Sequence, residues 1–593
     1  MADSKPRVVV GLDFGTTFSG FAFAHVSDPD KVYTFYQYPK AGTGSEKPYC
    51  KTLTGSYYKN LEGVWQFKSW GYPARVECTR DIQALRKQRA SGPSNDPLQL
   101  PTVGKYFTRF KLHLASTEMG ASTAQDLPPG LTVDVLITDY LGEMGALVLK
   151  TLQNSYGAQL SKQAIQWCVT VPSIWDNAAK ATMKRCMTSA GLVGGVAGSR
   201  HPLTMVLEPE AASFCCHKLL MEQLIEVGDK LLVADIGGGT SDIVLQEVVS
   251  IGTNSSFRVR EVTTSSGGLC GGTYVDARFM EFLLKKIGPC LQECINEHPH
   301  LYSHLFQEWE HKKANFGDNI TFGGSTDINL PSKLASKWEA YDRRMGIPAR
   351  DSYDEVEISY QEMQSIFDPV IEQNIQLILR QLEQVGAGAV KVLVVVGGFA
   401  GSPYLMDCIR KRFAGMVPQI LTPPDPGSAV CQGAVMLACN PDTVLSRVCK
   451  KTYGIQSNKK FDENVDLPKY RKVVDGKSRC SKRFAVYARK GDKVEVDSCI
   501  SKIFHPVYRG QKYLKLRLYS SCEMDPRYTS GVTVRKEGKI EIDMSKDMRL
   551  DRRRKVKVSI FFGGSSMEIK AEAMNFLAGR PEQLELPVEI GFF

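Results

Sequence analysis

The architecture of this chain follows from two short segments, Gly11-Leu12-Asp13-Phe14-Gly15-Thr16-Thr17 and Ala234-Asp235-Ile236-Gly237-Gly238-Gly239-Thr240-Ser241-Asp242. Each segment begins where an apolar run ends, and each passes through an aspartate, glycines and hydroxyl residues into a second apolar run. Glycines let backbone N–H groups approach phosphate oxygens closely, and hydroxyls supply further donors. An aspartate at a strand end suits a hydrated divalent cation, because Mg²⁺ usually keeps several waters. A repeated phosphate hairpin therefore predicts two related lobes that hold one metal-bound phosphate ligand from both sides.

Up to about residue 440, short apolar runs alternate with helical patterns. The runs that read as buried strands are Val8–Val10, Gln166–Val171, Leu231–Ala234 and Val392–Val396. The segments with helical periodicity are 135–157, 176–190, 276–288 and 360–384. This alternation is typical of α/β architecture. Residues 82–104 and 115–130 are rich in Ser, Pro, Gly and Gln, which predicts surface insertions.

After about residue 445 the apolar pattern changes to a period of two. The strongly alternating runs are 484–487, 513–518, 539–542, 555–561 and 567–573. Residues 562–565, Phe-Gly-Gly-Ser, lie between two of these runs as a predicted turn. We predict an all-antiparallel β domain here, and a sandwich in preference to a barrel.

Composition places the chain among ordinary globular proteins. Its 593 residues suggest roughly three to five structural units, and 43% hydrophobic and 23% charged residues exclude disordered, collagen-like and coiled-coil classes. No apolar run approaches the roughly 18–20 residues of a membrane span, and the first residues lack the apolar stretch of a secretory signal. The 16 scattered cysteines fit reduced thiols, so we expect the cytoplasm, with the nucleus as a second location.

The net charge of +10 is unevenly distributed. Residues 441–593 contain about 33 basic and about 20 acidic side chains, and they carry the whole excess. Two interpretations stay open: a solvated basic surface, or a site for an acidic partner. The run Arg552–Lys557 has the composition of a nuclear localisation signal. Because a strand pattern follows at once, it also fits the flank of a hairpin.

Two further motifs carry chemistry. In residues 394–403 a buried strand runs into Gly397-Gly398 and then a helix start, and a flat base could lie against that backbone. In residues 207–212, Glu208 precedes a proline, so we expect it at the junction of a loop and a helix N-terminus. A carboxylate there is a candidate for positioning an attacking water.

In this order, the motifs resemble those of the seventy-kilodalton heat-shock chaperone family, within the actin-like ATPase superfamily. Residues 165–173 resemble that family's connecting strand, and residues 271–276 resemble its Gly-Gly-Glu-Asp-Phe-Asp segment. The match spans about residues 8–440. Residues 35–39, 110–112 and 518–521 are most similar to the divergent member-12 subgroup.

The resemblance implies an α/β fold: a two-lobed actin-like ATPase domain followed by a C-terminal antiparallel β-sandwich-like domain, without a helical lid. Lobe I would span 1–208, with insertions around 80–130. Lobe II would span 209–440, with a return to lobe I near 390–440. A linker at 441–454 would then lead into a β-rich partner-binding domain at 455–593.

The resemblance also implies a nucleotide site for ATP or ADP with Mg²⁺. Asp13 and Asp235 would hold the metal through water, and Glu208 would orient the attacking water. Lys111, with Lys105 in reserve, would reach the γ-phosphate. The residues expected to touch phosphates or line the nucleotide are Gly11, Gly15, Thr16, Thr17, Gly237, Gly238, Gly239, Thr240, Gly271, Gly272, Glu310, Lys313, Gly397, Gly398 and Phe399. The chemistry would be in-line phosphoryl transfer to water, with Thr240 among the catalytic residues.

Several positions depart from the family pattern. The helix expected over the adenosine carries Glu310-His311-Lys312-Lys313-Ala314 and lacks the stacking arginine, and Phe399 replaces a small serine. Thr273 stands where the family has a glutamate. The linker, residues 444–451, is basic instead of acidic and leucine-rich, and the helical lid and the acidic tail of the family have no counterpart.

Three functions remain after these departures. The first is an ATP-binding, chaperone-like protein that hydrolyses ATP slowly and couples nucleotide state to protein partners through its β domain. The second is a nucleotide-dependent scaffold or adaptor with negligible turnover. The third, a small-molecule kinase of the same superfamily, is disfavoured because no acceptor pocket is recognisable. In each case we expect a monomer with no membrane span and no specific nucleic-acid partner.

Overall fold

A computed structural model of the chain describes residues 5–39, 49–90, 104–115, 125–194, 198–252, 257–298, 300–318, 324–386, 388–474, 476–496, 498–506, 510–545, 548–574, 584–586 and 588–592. The predicted insertions fall partly outside these ranges, at 91–103 and 116–124. Residues 82–90 lie inside them, and they continue the helix Gly71–Ala90.

The first sheet contains the first phosphate motif. Its strands, in spatial order, are Tyr33–Thr34, Phe18–His25, Val8–Asp13, Ile165–Val171 and Thr204–Leu207, with Thr52–Leu53 attached to the second of them. Val8–Asp13 is buried along its whole length, pairs antiparallel with Phe18–His25 and runs parallel to Ile165–Val171. Asp13 is therefore the last residue of the central strand, and the loop that follows leaves the sheet at its carboxyl end. A smaller sheet, Gly55–Leu61, Val64–Trp70 and Lys105–Thr108, belongs to the same part of the chain.

The second sheet repeats this arrangement. Its strands, in spatial order, are Gln419–Leu421, Val392–Val396, Lys230–Ile236, Ser241–Ile251, Phe257–Glu261, Val444–Val448 and Lys493–Glu495, with Ser266–Gly268 attached to the fourth. Lys230–Ile236 pairs antiparallel with Ser241–Ile251 and parallel with Val392–Val396. Both sheets thus place a tight hairpin beside a parallel strand, as the repeated motif predicted. A two-stranded ribbon joins Thr326–Asn329 to Glu355–Ile358.

The α-helices in the described part of the chain are Gly71–Ala90, Val133–Tyr156, Asn177–Ser189, Glu208–Cys215, His217–Met221, Gly272–Ile287, Cys290–Glu297, His300–Asn315, Ser332–Met345, Tyr360–Glu383, Pro403–Phe413 and Ala429–Cys439. Short 3-10 turns occur at Phe110–Leu114, Lys162–Ala164, Gly398–Gly401, Pro441–Thr443, Pro468–Tyr470 and Met548–Arg553. Among the described residues, no helix is long and apolar enough to cross a membrane.

Helix Ala429–Cys439 lies between the two sheets. It packs against the strand Val8–Asp13 and against the helix Glu208–Cys215, and a methyl group at Gly433 would come within 3.0 Å of the Ala211 Cα. Only glycine permits this close approach. The approach fixes the start of the helix Glu208–Cys215 relative to the first sheet.

Two antiparallel sheets follow in the C-terminal part. The first contains Arg471–Val474, Lys477–Ala488, Thr452–Lys460, Tyr513–Ser521, Val534–Asp543 and Val588–Phe592, in this spatial order. The second contains Cys499–Phe504, Val556–Phe561, Glu568–Ala573 and Leu584–Leu586. Alternate residues such as Leu514, Leu516, Val558 and Ile560 enter one shared core. The predicted α/β class and the C-terminal β-sandwich are therefore both confirmed, and among the described residues after Thr443 there is no α-helix.

The connection between the two parts is itself a strand, Val444–Val448, which we call the linker strand. It runs parallel to Phe257–Glu261 and antiparallel to Lys493–Glu495. Arg447 forms a two-pronged ion pair with Glu210, with Nε–Oε1 and Nη2–Oε2 distances of 2.6 and 2.8 Å. The backbone N–H of Val448 donates to Glu261 Oε2 at 2.8 Å.

The turn at residues 562–565 also contacts the first part of the chain. Lys180 Nζ donates to the carbonyl oxygen of Ser565 at 2.7 Å, and the Ser565 hydroxyl donates to the carbonyl oxygen of Met205. Arg447 donates to the carbonyl oxygen of Gly563. The sandwich is therefore held to the α/β part by its own hairpin as well as by the linker strand.

Candidate functional site

A cavity of about 380 Å³ lies where the carboxyl ends of the two central strands meet. The residues that line it are Asp13, Gly15, Thr16, Thr17, Phe18, Tyr49, Lys51, Lys111, Glu208, Asp235, Gly237, Gly238, Gly239, Thr240, Gly272, Thr273, Asp276, Glu310, Lys313, Ala314, Gly397, Gly398, Phe399, Gly401, Ser402 and Val430. A cavity of this size, lined by both apolar and charged groups, is typical of a small-molecule site.

The two glycine loops face each other across this cavity. A methyl group built on Gly238 would lie 2.7 Å from Thr17 Oγ1, and one on Gly239 would lie 2.5 Å from Thr16 Oγ1. The loops can approach this closely because neither glycine has a side chain. The hydroxyl of Thr17 is buried and has no hydrogen-bond partner in the described part of the chain. Because buried hydroxyls are nearly always hydrogen-bonded, a ligand oxygen would fit here.

A third backbone segment rests on the second loop. Gly272 N–H donates to the Gly237 carbonyl at 3.1 Å, and Thr273 N–H donates to the Gly238 carbonyl at 2.8 Å. These bonds place the start of helix Gly272–Ile287 against the cavity. The first N–H groups of this helix are used by the second loop, so the helix offers an anionic ligand the partial positive charge of its N-terminus.

Lys111 and Glu208 form a buried ion pair at the deep end of the cavity. Their Nζ–Oε1 distance is 2.8 Å, and their side chains are 4% and 8% exposed. Pro209 follows Glu208, which is the first residue of its helix, as the Glu-Pro pair predicted. Burial raises the pKa of Glu208, and the lysine acts against this rise. The carboxylate is thus close to both a cation and the glycine loops.

Lys51 and Asp13 form a second buried ion pair, with an Nζ–Oδ2 distance of 2.6 Å. Asp235 lies nearby; burial, followed by the charges of Glu208 and Asp13, raises its pKa well above the usual value. Asp242 accepts from the backbone N–H of Ser173 at 2.8 Å and from the Ser173 hydroxyl.

Acidic groups outnumber basic groups in this cluster. Four buried carboxylates, on Asp13, Glu208, Asp235 and Asp242, are accompanied by two buried ammonium groups, on Lys51 and Lys111, and by the nearby Lys450, whose charge acts on Asp242. A further cation would be stabilised here. Among the described residues, no group of three or more His, Cys, Asp or Glu side chains could hold a metal ion directly. Carboxylates such as those of Asp13 and Asp235 can hold a cation through its water ligands.

Phe399 and the pair formed by Lys313 and Asp276 line another part of the cavity. Phe399 lines it and is 5% exposed. Lys313 donates to Asp276 Oδ1 at 2.7 Å and to the Gly272 carbonyl at 2.9 Å, and Trp309 Nε1 donates to the same carboxylate at 2.8 Å. The ammonium of Lys313 is thus bound to the first turns of helix Gly272–Ile287. A flat ring at this end would contact Phe399.

Most of the residues predicted from the sequence line the cavity, and the exceptions are Gly11 and Gly271. Gly11 faces the helix Ala429–Cys439, where a methyl group would lie 2.9 Å from Val435 N. Gly271 packs on Gly238 and supports the second loop from behind. Lys105, the reserve for Lys111, donates to the carbonyl of Asp126 at an exposed position.

The sequence reasoning missed Lys51, Tyr49 and Asp276, which also line the cavity. Asp276 ends the Gly271–Asp276 segment, so a residue-by-residue reading of that motif could have found it. No motif marks Lys51 or Tyr49; both precede the two-residue strand Thr52–Leu53 and reach the site only through its pairing with Phe18–His25.

Known proteins of one family match this chain. A family model described as Hsp70 protein matches residues 128–496. Heat shock 70 kDa protein 12B of Homo sapiens is 25% identical over 639 residues, which is 95% of this chain and 89% of that protein. Heat shock 70 kDa protein 12A of Homo sapiens is 23% identical over 97% of this chain and 90% of its own length. Chaperone protein DnaK of Burkholderia cenocepacia (strain HI2424) is 22% identical over 55% of this chain and 47% of its own length. The family match covers more than half of the chain, and its loops, cavity and β-sandwich agree with it: this chain belongs to the Hsp70 protein family.

Proposed function

We propose that this protein binds ATP or ADP with Mg²⁺ between its two glycine loops, hydrolyses ATP slowly, and couples the nucleotide state to protein partners. The observation that carries the proposal is the close approach of Thr16 and Thr17 to Gly239 and Gly238 over one cavity. Two loops rich in backbone N–H groups and hydroxyls, meeting across a cavity, form a phosphate site.

The residues would act as follows. The hydroxyls of Thr16, Thr17 and Thr240 and the loop N–H groups bind the phosphate oxygens. Asp13 and Asp235 would hold Mg²⁺ through its water ligands, and the metal would supply positive charge to the β- and γ-phosphates. Phe399 contributes an apolar surface for the base.

Glu208 would orient the attacking water, and Lys111 would bind the γ-phosphate. Their direct contact at 2.8 Å means that each holds the other in place before nucleotide binds. In-line transfer to water needs no covalent intermediate, so positioning and electrostatic stabilisation account for the rate. Because part of the charge of each group is cancelled by its partner, we expect slow turnover.

The same ion pair favours the second candidate, a nucleotide-dependent scaffold with negligible turnover. The lysine opposes the rise that burial causes in the pKa of Glu208, so this carboxylate accepts a proton from water less readily than it would without its partner. A single-turnover assay of γ-phosphate release separates the candidates. Release that falls at least ~100-fold in Glu208→Ala, with ATP affinity retained, supports the ATPase. If the unmutated chain releases no γ-phosphate above the buffer background, the scaffold function is supported instead.

The β-sandwich would bind the protein partner, through a basic cleft of about 540 Å³. The charged residues that line the cleft are Lys459, Arg483, Arg489, Lys502, Asp525 and Arg527. Asp466 pairs with Arg483 and Arg527, and Asp525 pairs with Arg489, so the cations of the cleft outnumber these carboxylates by five to two. Burial, followed by the charge of Lys459, lowers the pKa of Lys502. An acidic peptide would relieve this repulsion.

Peptide binding tests this part of the proposal. An acidic peptide, compared with the same peptide in which Gln replaces each Glu, should bind at least tenfold more tightly, and the difference should shrink with salt. Lys459→Glu should weaken that binding, while Lys472→Glu, on an exposed strand outside the cleft, should not. Equal affinity for both peptides would contradict an electrostatic partner site.

The division of the chain into lobe I, lobe II, linker and partner-binding domain is proposed on the same basis. Strand Val392–Val396 pairs within the second sheet, and helix Ala429–Cys439 packs back on the first. Closure of the lobes around ATP would follow from contacts that both loops make with one ligand.

A further inference from the structure

The ammonium group of Lys51 lies inside the cavity proposed for the nucleotide, although Lys51 belongs to none of the sequence motifs. Its Nζ is 2.6 Å from Asp13 Oδ2, and the two side chains are 10% and 5% exposed. Both residues line the cavity. The ion pair with Asp13 places the ammonium group of Lys51 inside the site.

The fold holds Lys51 in this position. The residue leads into the strand Thr52–Leu53, which pairs with the first hairpin, and Thr54 N–H donates to the Thr17 carbonyl at 2.7 Å. Gly20 lies opposite Asp13 in that hairpin, and a methyl group on it would come within 2.8 Å of the Lys51 Cγ. The absence of a side chain at Gly20 thus leaves room for the aliphatic part of Lys51 beside Asp13.

The contact changes what Asp13 can do. Of the four buried carboxylates in the cluster, Glu208 pairs with Lys111 and Asp13 with Lys51. Asp13 is also one of the two carboxylates proposed to hold Mg²⁺ through water. A carboxylate that already has an ammonium partner gains less from a second cation, because the attraction is shared.

We propose that Lys51 is a built-in cation of the nucleotide site, which takes over part of the metal's charge and makes nucleotide binding only weakly dependent on Mg²⁺. A lysine ammonium is a compact charge with three donors, so it can turn from Asp13 towards a phosphate oxygen while it stays in the cavity. When Mg²⁺ is scarce, the phosphates still meet the charge of Lys51. The inference rests on the proposed nucleotide function and concerns this chain's own lysine.

The test is a comparison of ATP affinities by isothermal titration calorimetry, with excess Mg²⁺ and with excess EDTA. We define the metal factor as Kd in EDTA divided by Kd in Mg²⁺. The unmutated chain should give a metal factor below about 10, and Lys51→Met should raise it at least tenfold, which corresponds to about 1.4 kcal/mol. Lys51→Arg keeps the charge and should keep the low factor. The matched control is Lys59→Met, which removes a lysine paired with Asp81 at 2.5 Å outside the cavity.

Lys51→Met leaves a buried carboxylate without its cation, so thermal melting must accompany the titration. If the variant does not fold, Lys51→Gln replaces it, because the amide can donate to Asp13 without a charge. The inference about Lys51 is refuted if the metal factor is the same in the unmutated chain and in Lys51→Met or Lys51→Gln. It is also refuted if the variant loses the same affinity with and without Mg²⁺. Either result leaves the proposed function standing. If the unmutated chain binds no ATP in Mg²⁺, the proposed function falls with it.

Discussion

The buried pair between Arg447 and Glu210 should control how firmly the linker strand is attached. The pair joins the linker strand to a helix whose first residue is Glu208, two positions before Glu210. The side chains are 14% and 1% exposed, and two parallel hydrogen bonds of 2.6 and 2.8 Å connect them. Arg447→Met removes the cation and leaves the carboxylate buried, which costs about 3–5 kcal/mol.

Neighbouring cations reduce this cost. Lys180 and Lys450 are close enough to Glu210 for its charge to raise their pKa values, although burial lowers both pKa values overall. We therefore expect about 3 kcal/mol, the lower limit, which corresponds to an open fraction of the linker strand that is about 100-fold larger. Hydrogen exchange followed by mass spectrometry over residues 444–448 measures this opening directly.

A double variant and a surface control complete the experiment. Arg447→Met/Glu210→Met replaces both charges by apolar groups and should recover most of the protection, because a buried pair is close to neutral against such a replacement. Arg260→Met breaks a more exposed pair with Glu247 on a neighbouring strand and should change exchange less than about fivefold. Unchanged exchange in Arg447→Met, or a double variant as unprotected as the single one, would refute the reasoning.

Three shorter predictions concern the site and its surroundings. Gly238→Ala should weaken ATP binding at least tenfold with little change in melting temperature, because its methyl group would lie 2.7 Å from Thr17 Oγ1 in the cavity. The control Gly142→Ala, at an open helix position, should leave binding unchanged in the same titration. Asp235→Asn should raise the melting temperature of the nucleotide-free chain at pH 8, because burial and neighbouring carboxylates disfavour the ionised form of Asp235, and a lower melting temperature would contradict this account. Burial raises the pKa of Glu261 to about 7 from an ordinary 4.5. Its contribution to stability is therefore complete below pH 4.5 and is lost as pH rises through 7. Glu261→Gln should stabilise the chain at about pH 8 but not at about pH 5, and thermal melts at the two pH values measure this difference.

Local chemistry made much of the architecture predictable. Strands such as Val392–Val396 are uniformly apolar, and the helix Tyr360–Glu383 has a strong helical period, so both were found within a few residues of their bounds. The Glu-Pro pair placed Glu208 at a helix start because proline excludes the preceding residue from a helix interior. The alternation after residue 445 predicted the sandwich for the same reason, since one face of each strand is buried.

Other features depend on distances between remote residues, which no local pattern contains. Lys51 reaches Asp13 across 38 positions of the chain through a two-residue strand. Gly11 was predicted to line the nucleotide because it belongs to the first motif, but as a strand residue it faces the helix Ala429–Cys439. The contact of Lys313 with Asp276 likewise joins two helices, so the sequence showed both residues without showing that they pair.

The hairpin at residues 562–565 has a consequence for how the two halves of the molecule stay together. Lys180 and the carbonyl of Met205 form hydrogen bonds with Ser565. These contacts would hold the sandwich in place even if the chain were cut at the linker strand. A chain cut by a protease on either side of residues 444–448 would still migrate as one particle, and the sandwich would dissociate only when the hairpin contacts and the pairing of Lys493–Glu495 with the linker strand were both broken.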